Sequence, residues 1–379
     1  MQKWFLILVV LWLVSLSACD TATELPDLPL TQAGNTATMT KITAPGTPIP
    51  TIVTPTLEST ETLLPTPIPP TPIPEPFLPK GLEQIGAENI PKLELLASLP
   101  VKEIYELAFS PSGKLLATLS EPWNDRFNDY MEVWDLTTGD QVLFVDRWDS
   151  PSGLFFPPDE TKLYAYNRLY DLVSGEVIQT LEVVPQAYSP DGKIYATGDY
   201  QGARDESVIH LVDVATQIEK LSLTNPGMVM NLEFSPNGRL LVGGFQVGNH
   251  FVHKIWDIST GENLVDLINS DSGLIFSPDS SLAASAAGGQ IFLFSTDAMT
   301  YLASYGFSDP YMDPSPRGFS LANDILAIED RYTIRFLVPE SGKALLNLTD
   351  ECEVKFSPNG SLLVTWCYQG DLKLWGIMP

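Results

Sequence analysis

The chain has 379 residues, 44% of them hydrophobic and 10% aromatic, enough to fill a sizeable core. Its formal charge of −26 sets it against phosphate backbones and anionic lipid headgroups, whose recognition needs Lys/Arg patches and counterion release. Composition thus excludes nucleic acid as a partner, and a membrane as one held by surface charge.

In chain order, Lys3 and the apolar run from Trp4 to Leu16 have the charged and hydrophobic regions of a processing signal, too short to span a bilayer comfortably. The residues Leu16-Ser17-Ala18-Cys19 resemble the bacterial lipoprotein lipobox. The resemblance implies a signal peptide over residues 1–18, removed to leave a lipidated (palmitate-bearing) Cys19. Acyl chains contribute about 0.8 kcal/mol per buried CH₂, so two or three would hold the protein stably. The expected location is the bacterial cell envelope, extracytoplasmic, with the membrane contacted through the lipid anchor only. An ordinary secretory signal with a chance cysteine, or an uncleaved anchor, is the plainer alternative.

Residues 19–79 are rich in Thr and Pro and culminate in the run from Pro65 to Pro76. Proline removes backbone donors and favours polyproline II at about 3.1 Å per residue, so this stretch reads as a disordered, Pro/Thr-rich tether ending in a stiff spacer. Residues 80–379 are the expected folded domain.

Within that domain one phrase recurs. Phe109-Ser110-Pro111-Ser112-Gly113 starts it, and variants begin near Phe156, Tyr188, Phe234, Phe276, Phe319 and Phe356, at intervals of about 32 to 47 residues. Each unit carries alternating apolar segments separated by Pro/Asn/Asp/Gly turns, as in Leu232-Glu233-Phe234, Leu240-Leu241-Val242 and Lys254-Ile255-Trp256. Period two with such punctuation means antiparallel strands. Four short strands per unit, seven times over, predict an all-β fold: a seven-bladed β-propeller of four-stranded antiparallel blades.

Trp134-Asp135, Tyr170-Asp171, Trp256-Asp257 and Trp375-Gly376 give this region a resemblance to the WD40 or YVTN-like repeat family, over about residues 93 to 379. That family's Gly-His dipeptide is missing from every unit, so packing and turn chemistry must define the blades. The family implies a rigid platform for protein contact. The chain ends at the third strand of its last unit, and Leu93 to Leu99, otherwise unassigned, is expected to supply the fourth and close the ring.

Cys352 and Cys367 flank the Ser357–Ser361 turn. If Phe356 faces Leu363, stepping outward four residues on each strand sets the cysteines opposite each other. In an oxidising compartment they would bond, closing a loop worth roughly 3 kcal/mol. A register slip would leave two buried thiols instead. Two cysteines without a third ligand make no zinc site, and no metal or cofactor is expected.

No catalytic constellation is legible. The three histidines, His210, His250 and His253, lie near no nucleophile, and there is no Gly-x-Ser-x-Gly elbow. Asp125 with Asp129, and Asp309 with Asp313, read as solvated loop acids. The extra residues are confined to 120–130, 199–207, 245–254 and 305–317, connections that emerge on one face in the family's topology. They carry Trp123, Arg126, Phe127, Tyr130, Tyr200, Arg204, His250, Phe251, Tyr311 and Met312 as a candidate binding face. These rings could equally fold back on the rim as satellite clusters.

The expectation is a non-catalytic, monomeric lipoprotein presenting a propeller to an envelope or extracellular protein, or a glycan. The alternative is an extracytoplasmic propeller enzyme, lactonase-like or quinoprotein-like, with a metal or cofactor in the central channel.

Overall fold

The computed structural model describes residues 77–101, 103–121, 129–147, 153–268, 273–307, 314–367 and 370–379; the expected signal peptide, Cys19 and most of the expected tether lie outside them. The repeats form seven antiparallel sheets. Blade 1 sets the pattern, with strands Ile104–Phe109, Leu115–Ser120, Asp129–Asp135 and Gln141–Arg147 paired in sequence order from axis to rim. Blades 3 to 6 repeat it within residues 187–226, 228–268, 275–306 and 315–349. The fold is a seven-bladed β-propeller, with one short 3-10 turn, Ile90–Lys92, among the described residues.

Blade 2 departs from the four-strand rule. It has Lys162–Ala165, Arg168–Asp171 and Val177–Thr180, and its innermost strand shrinks to a single bridge, Phe155 to Tyr164. Pro157 and Pro158 follow that bridge and have no N–H to donate to a ladder. The backbone groups ahead of it are satisfied from the neighbouring blade: the Glu106 carboxylate accepts from Gly153 N at 2.9 Å and Leu154 N at 2.6 Å.

The recurring serine has a clear task. In the turn between the first two strands of a blade, its buried hydroxyl accepts the N–H five residues on: Ile194 N to Ser189 Oγ, Leu240 N to Ser235 Oγ, Leu282 N to Ser277 Oγ, Leu362 N to Ser357 Oγ, all 2.9 Å. The same hydroxyl donates to an Asp or Asn two residues ahead, as Ser235 does to Asn237 Oδ1 at 2.8 Å. A buried hydroxyl satisfied in both senses fixes the turn, and losing it would strand the partner N–H.

The Trp-Asp position works without histidine. Trp134 lies in one buried cluster with Leu362 and Val364 of the preceding blade, and Trp256 in another with Ala196 and Ile209. Burial of such a ring is worth on the order of 4 kcal/mol. The following Asp ties the next turn: Asp135 Oδ1 accepts Thr137 N at 2.7 Å, and Asp257 Oδ1 accepts Ser259 N at 2.9 Å.

The last blade holds Glu353–Phe356, Leu363–Trp366 and Leu372–Gly376, and Glu94–Leu99 completes it. Pairing runs from Glu94 opposite Gly376 to Leu99 opposite Leu372, with a bulge between Leu95 and Ala97. The ring is thus closed by the strand expected from the sequence. The packed body also reaches back ahead of residue 80: Phe77 is buried beside Gly139, and Ile85 and Ile90 are fully enclosed. Glu83 N donates to Ile377 O at 2.9 Å and Ile85 N to Gly360 O at 2.8 Å, so this lead-in segment is bonded to blade 7.

Candidate functional site

An antiparallel four-stranded blade sends alternate connections to opposite faces. The serine turns and the Asp turns share one, here the turn face; the connections between second and third strands, and those leading to the next blade, share the other, the hairpin face. The lead-in segment lies on the turn face, where Leu78, Lys80 and Leu82 border a cavity with Gly113, Leu136 and Asn359.

Two of the expected long loops are strand. In blade 3, Ile194–Gln201 and Glu206–Asp213 pair along their whole length, and in blade 4 Leu240–Val247 and His250–Asp257 do the same, down to Val247 opposite His250. Both hairpins reach beyond the strands of blade 2, and they belong to adjacent blades. A single residue, Gly227, carries the chain from the outer strand of one to the inner strand of the other. Its φ is +83°, and a Cβ there would lie 2.3 Å from Gln246 O. Ser207 ties the crossing: its hydroxyl donates to Gly227 O at 2.8 Å and accepts from Val229 N at 2.9 Å.

Of the candidate binding residues, Tyr200, Arg204, His250 and Phe251 lie on these hairpins. Tyr200 is 41% exposed and donates to Asp205 Oδ1 at 2.9 Å; Phe251 is 49% exposed; Arg204 pairs with Glu206 at 3.3 Å. Tyr130 is not with them. Its ring is half-buried against Phe144 of blade 1's outer strand, 5.4 Å between centroids, which is the fold-back arrangement. Trp123, Arg126, Phe127, Tyr311 and Met312 lie outside the described residues.

The site that sequence reasoning missed is on the axis. The first strands of blades 1, 4, 5, 6 and 7 enclose a cavity of about 430 Å³ on the hairpin-face side. Alternation along these strands brings Asn231 with Glu233, and Glu353 with Lys355, to its wall. Arg317 donates to Glu329 Oε2 at 2.7 Å and lies 3.1 Å from Glu353 Oε1. Burial pushes the Glu353 carboxyl up, and Arg317 opposes that. Lys355 Nζ donates to Leu107 O at 2.9 Å; burial pulls its ammonium down, while Glu106 and Glu233 oppose that. The Glu233 carboxyl is walled in by the blades, although its side chain meets water inside the cavity. Burial raises it to about 7 against the opposing pull of Lys355.

A sequence signal for this wall existed. The residue just before the repeat's Phe or Tyr is Ala108, Phe155, Ala187, Ile275 or Gly318 in five units, and charged only at Glu233 and Lys355.

Cys352 and Cys367 are joined by a disulfide with Cα atoms 5.0 Å apart, on the hairpin-face end of blade 7. Glu353 pairs with Trp366 and Phe356 with Leu363, so the cysteines extend that register by one step. Among the described residues no group of three or more His, Cys, Asp or Glu could hold a metal ion, and no helix is long and apolar enough to cross a membrane.

A scan against protein-family models finds no match, and a search of curated proteins finds no similar chain. Fold alone classifies it. The chain is an all-β, seven-bladed propeller.

Proposed function

We propose that this chain is a non-catalytic binding platform, anchored through a lipidated Cys19 at the cell envelope, whose propeller recognises an envelope or extracellular protein with its hairpin face. The observation that carries the reading is the division of labour between faces. The lead-in segment lies on the turn face and, among the described residues, leaves the hairpin face uncovered. That free face bears the lengthened hairpins, with exposed Tyr200 and Phe251, and the mouth of the axial cavity. Exposed aromatics beside a polar concavity are the composition of a recognition surface. Fold by itself carries no function, so the argument rests on this placement of residues.

The experiment is an affinity capture from envelope extracts with the full chain as bait, run beside a variant carrying Tyr200→Ala and Phe251→Ala and one carrying Ile178→Ala on the rim. The reading expects a protein retained by the parent and by the rim variant and lost with the double variant. Equal capture by all three, or none, would overturn it. Retention of an oligosaccharide in its place would turn the same face to glycan binding.

The enzyme alternative draws on the axial cavity, because polar side chains from several blades converge there. Elemental analysis of the purified chain separates the two: a stoichiometric metal removed by Glu233→Gln with Glu353→Gln would favour chemistry in the channel.

A further inference from the structure

We propose that the axial cavity receives a single cationic side chain, a lysine ammonium or an arginine guanidinium, presented by a loop of the partner protein. The inference rests on the platform reading above. It starts from an imbalance in the cavity wall: among the described residues, every charged group but one has a hydrogen-bonded or ion-paired partner. Glu106 accepts from Gly153 and Leu154, Arg317 is held between Glu329 and Glu353, and Lys355 is turned to the Leu107 carbonyl. Glu233 has neither a hydrogen bond nor an ion pair.

A carboxylate that faces the cavity with no protein partner is the group there best placed to take a charge-assisted hydrogen bond from an incoming cation. The wall carries three carboxylates, Glu106, Glu233 and Glu353, against two cations, Arg317 and Lys355, so its charge favours a cation over an anion. An incoming ammonium or guanidinium meets Glu233 without breaking an existing contact. Asn231, on the same strand as Glu233, adds a side-chain carbonyl that can accept from it. A cavity of about 430 Å³ is within the range of ligand pockets and has room for a basic side chain with water. At long range, the charge of −26 favours encounter with basic partners and slows acidic ones.

Titration calorimetry of the full chain tests this with three probes: an end-blocked Gly-Gly-Lys-Gly-Gly peptide, its Gln counterpart, and 1,5-diaminopentane. The Lys peptide should bind and the Gln peptide should not. Binding should tighten by up to about tenfold per pH unit between pH 6 and 7 and level off by pH 8, as the Glu233 carboxyl ionises. The charged groups facing it are Glu106 from blade 1 and Lys355 from blade 7, with Arg317 and Glu353 on the same wall. Glu233→Gln should weaken the Lys peptide at least tenfold and flatten the pH profile, whereas Glu262→Gln on an outer strand should change neither. No heat with the Lys peptide at millimolar concentration, or equal affinity in Glu233→Gln, would overturn the proposal. So would a diamine that binds more tightly than the peptide, because the pocket would then serve a free amine. A captured protein lost with the Tyr200/Phe251 variant and kept by Glu233→Gln would refute the cationic insertion alone and leave the platform standing.

Discussion

The turn face and the hairpin face are built from the same strands, yet they end differently. On the turn face, serine after serine makes the same pair of hydrogen bonds, and the turns are bonded to one another across blades. Asn359 Nδ2 donates to Ser112 O at 3.1 Å, Ser112 Oγ donates to Glu160 Oε2 at 2.6 Å, and Asn237 N donates to Ser280 Oγ at 2.9 Å. On the hairpin face the described turns share no such bonded motif, although those of blades 2, 4, 5 and 6 are all two residues long, with the unlike sequences Tyr166-Asn167, Gly248-Asn249, Gly288-Gly289 and Arg331-Tyr332. A two-residue turn ends the blade 4 hairpin, a four-residue turn ends that of blade 3, and large side chains stand in solvent. One face carries the repeated chemistry that makes blades, and the other is free to vary because blade formation does not depend on it.

The comparison can be broken in four places, from the largest effect down. Starting the chain at residue 101 removes both the lead-in segment and the closing strand, with Ile85, Ile90 and Leu99 among the fully enclosed side chains. Such a chain should have no cooperative thermal transition and be cleaved rapidly by protease, while one starting at residue 77 should melt like the parent. Gly227→Ala is the exception to tolerance on the hairpin face. Its positive φ and the 2.3 Å approach to Gln246 O should cost about 2–4 kcal/mol in urea unfolding. Ser235→Ala on the turn face strands the Leu240 N–H and should cost about 1–3 kcal/mol by the same measurement. Tyr200→Ala and Phe251→Ala should each stay within about 0.5 kcal/mol of the parent, since both are exposed. A loss above 2 kcal/mol from either would mean that the hairpins hold the blades together after all.

Legibility in the sequence followed the same division. The Phe-Ser-Pro phrase revealed the turns because Ser and Asp or Asn at fixed spacing form a local hydrogen-bond unit. The closing strand was legible because Leu93 to Leu99 had no other place to go. Its bulge at Leu95 and Ala97 was not, since that irregularity depends on the facing strand.

The hairpins of blades 3 and 4 were read as loops because their units carry more residues than the short blade 2, and glycines stand close by at Gly198, Gly243 and Gly244. Glycine in a strand pattern signals a break, but here it makes room for neighbours: a Cβ on Gly198 would meet Val229 Cγ1 at 2.3 Å, and one on Gly244 would meet Asn231 Oδ1 at 2.1 Å. Those neighbours come from other strands, so no local window could reveal them. Glu233 and Lys355 were visible as departures from the repeat, but their convergence on one cavity is a property of the ring.

Because Glu94–Leu99 pairs with Leu372–Gly376, everything between residues 94 and 376 must be made before the last blade can assemble. The earliest strand then waits without a partner while the others collapse, and joining it to the latest is a contact of very long sequence separation, a slow step by loop-closure entropy. Circularisation is therefore the terminal step of this fold, and it cannot occur until the strand Leu372–Gly376 has left the ribosome.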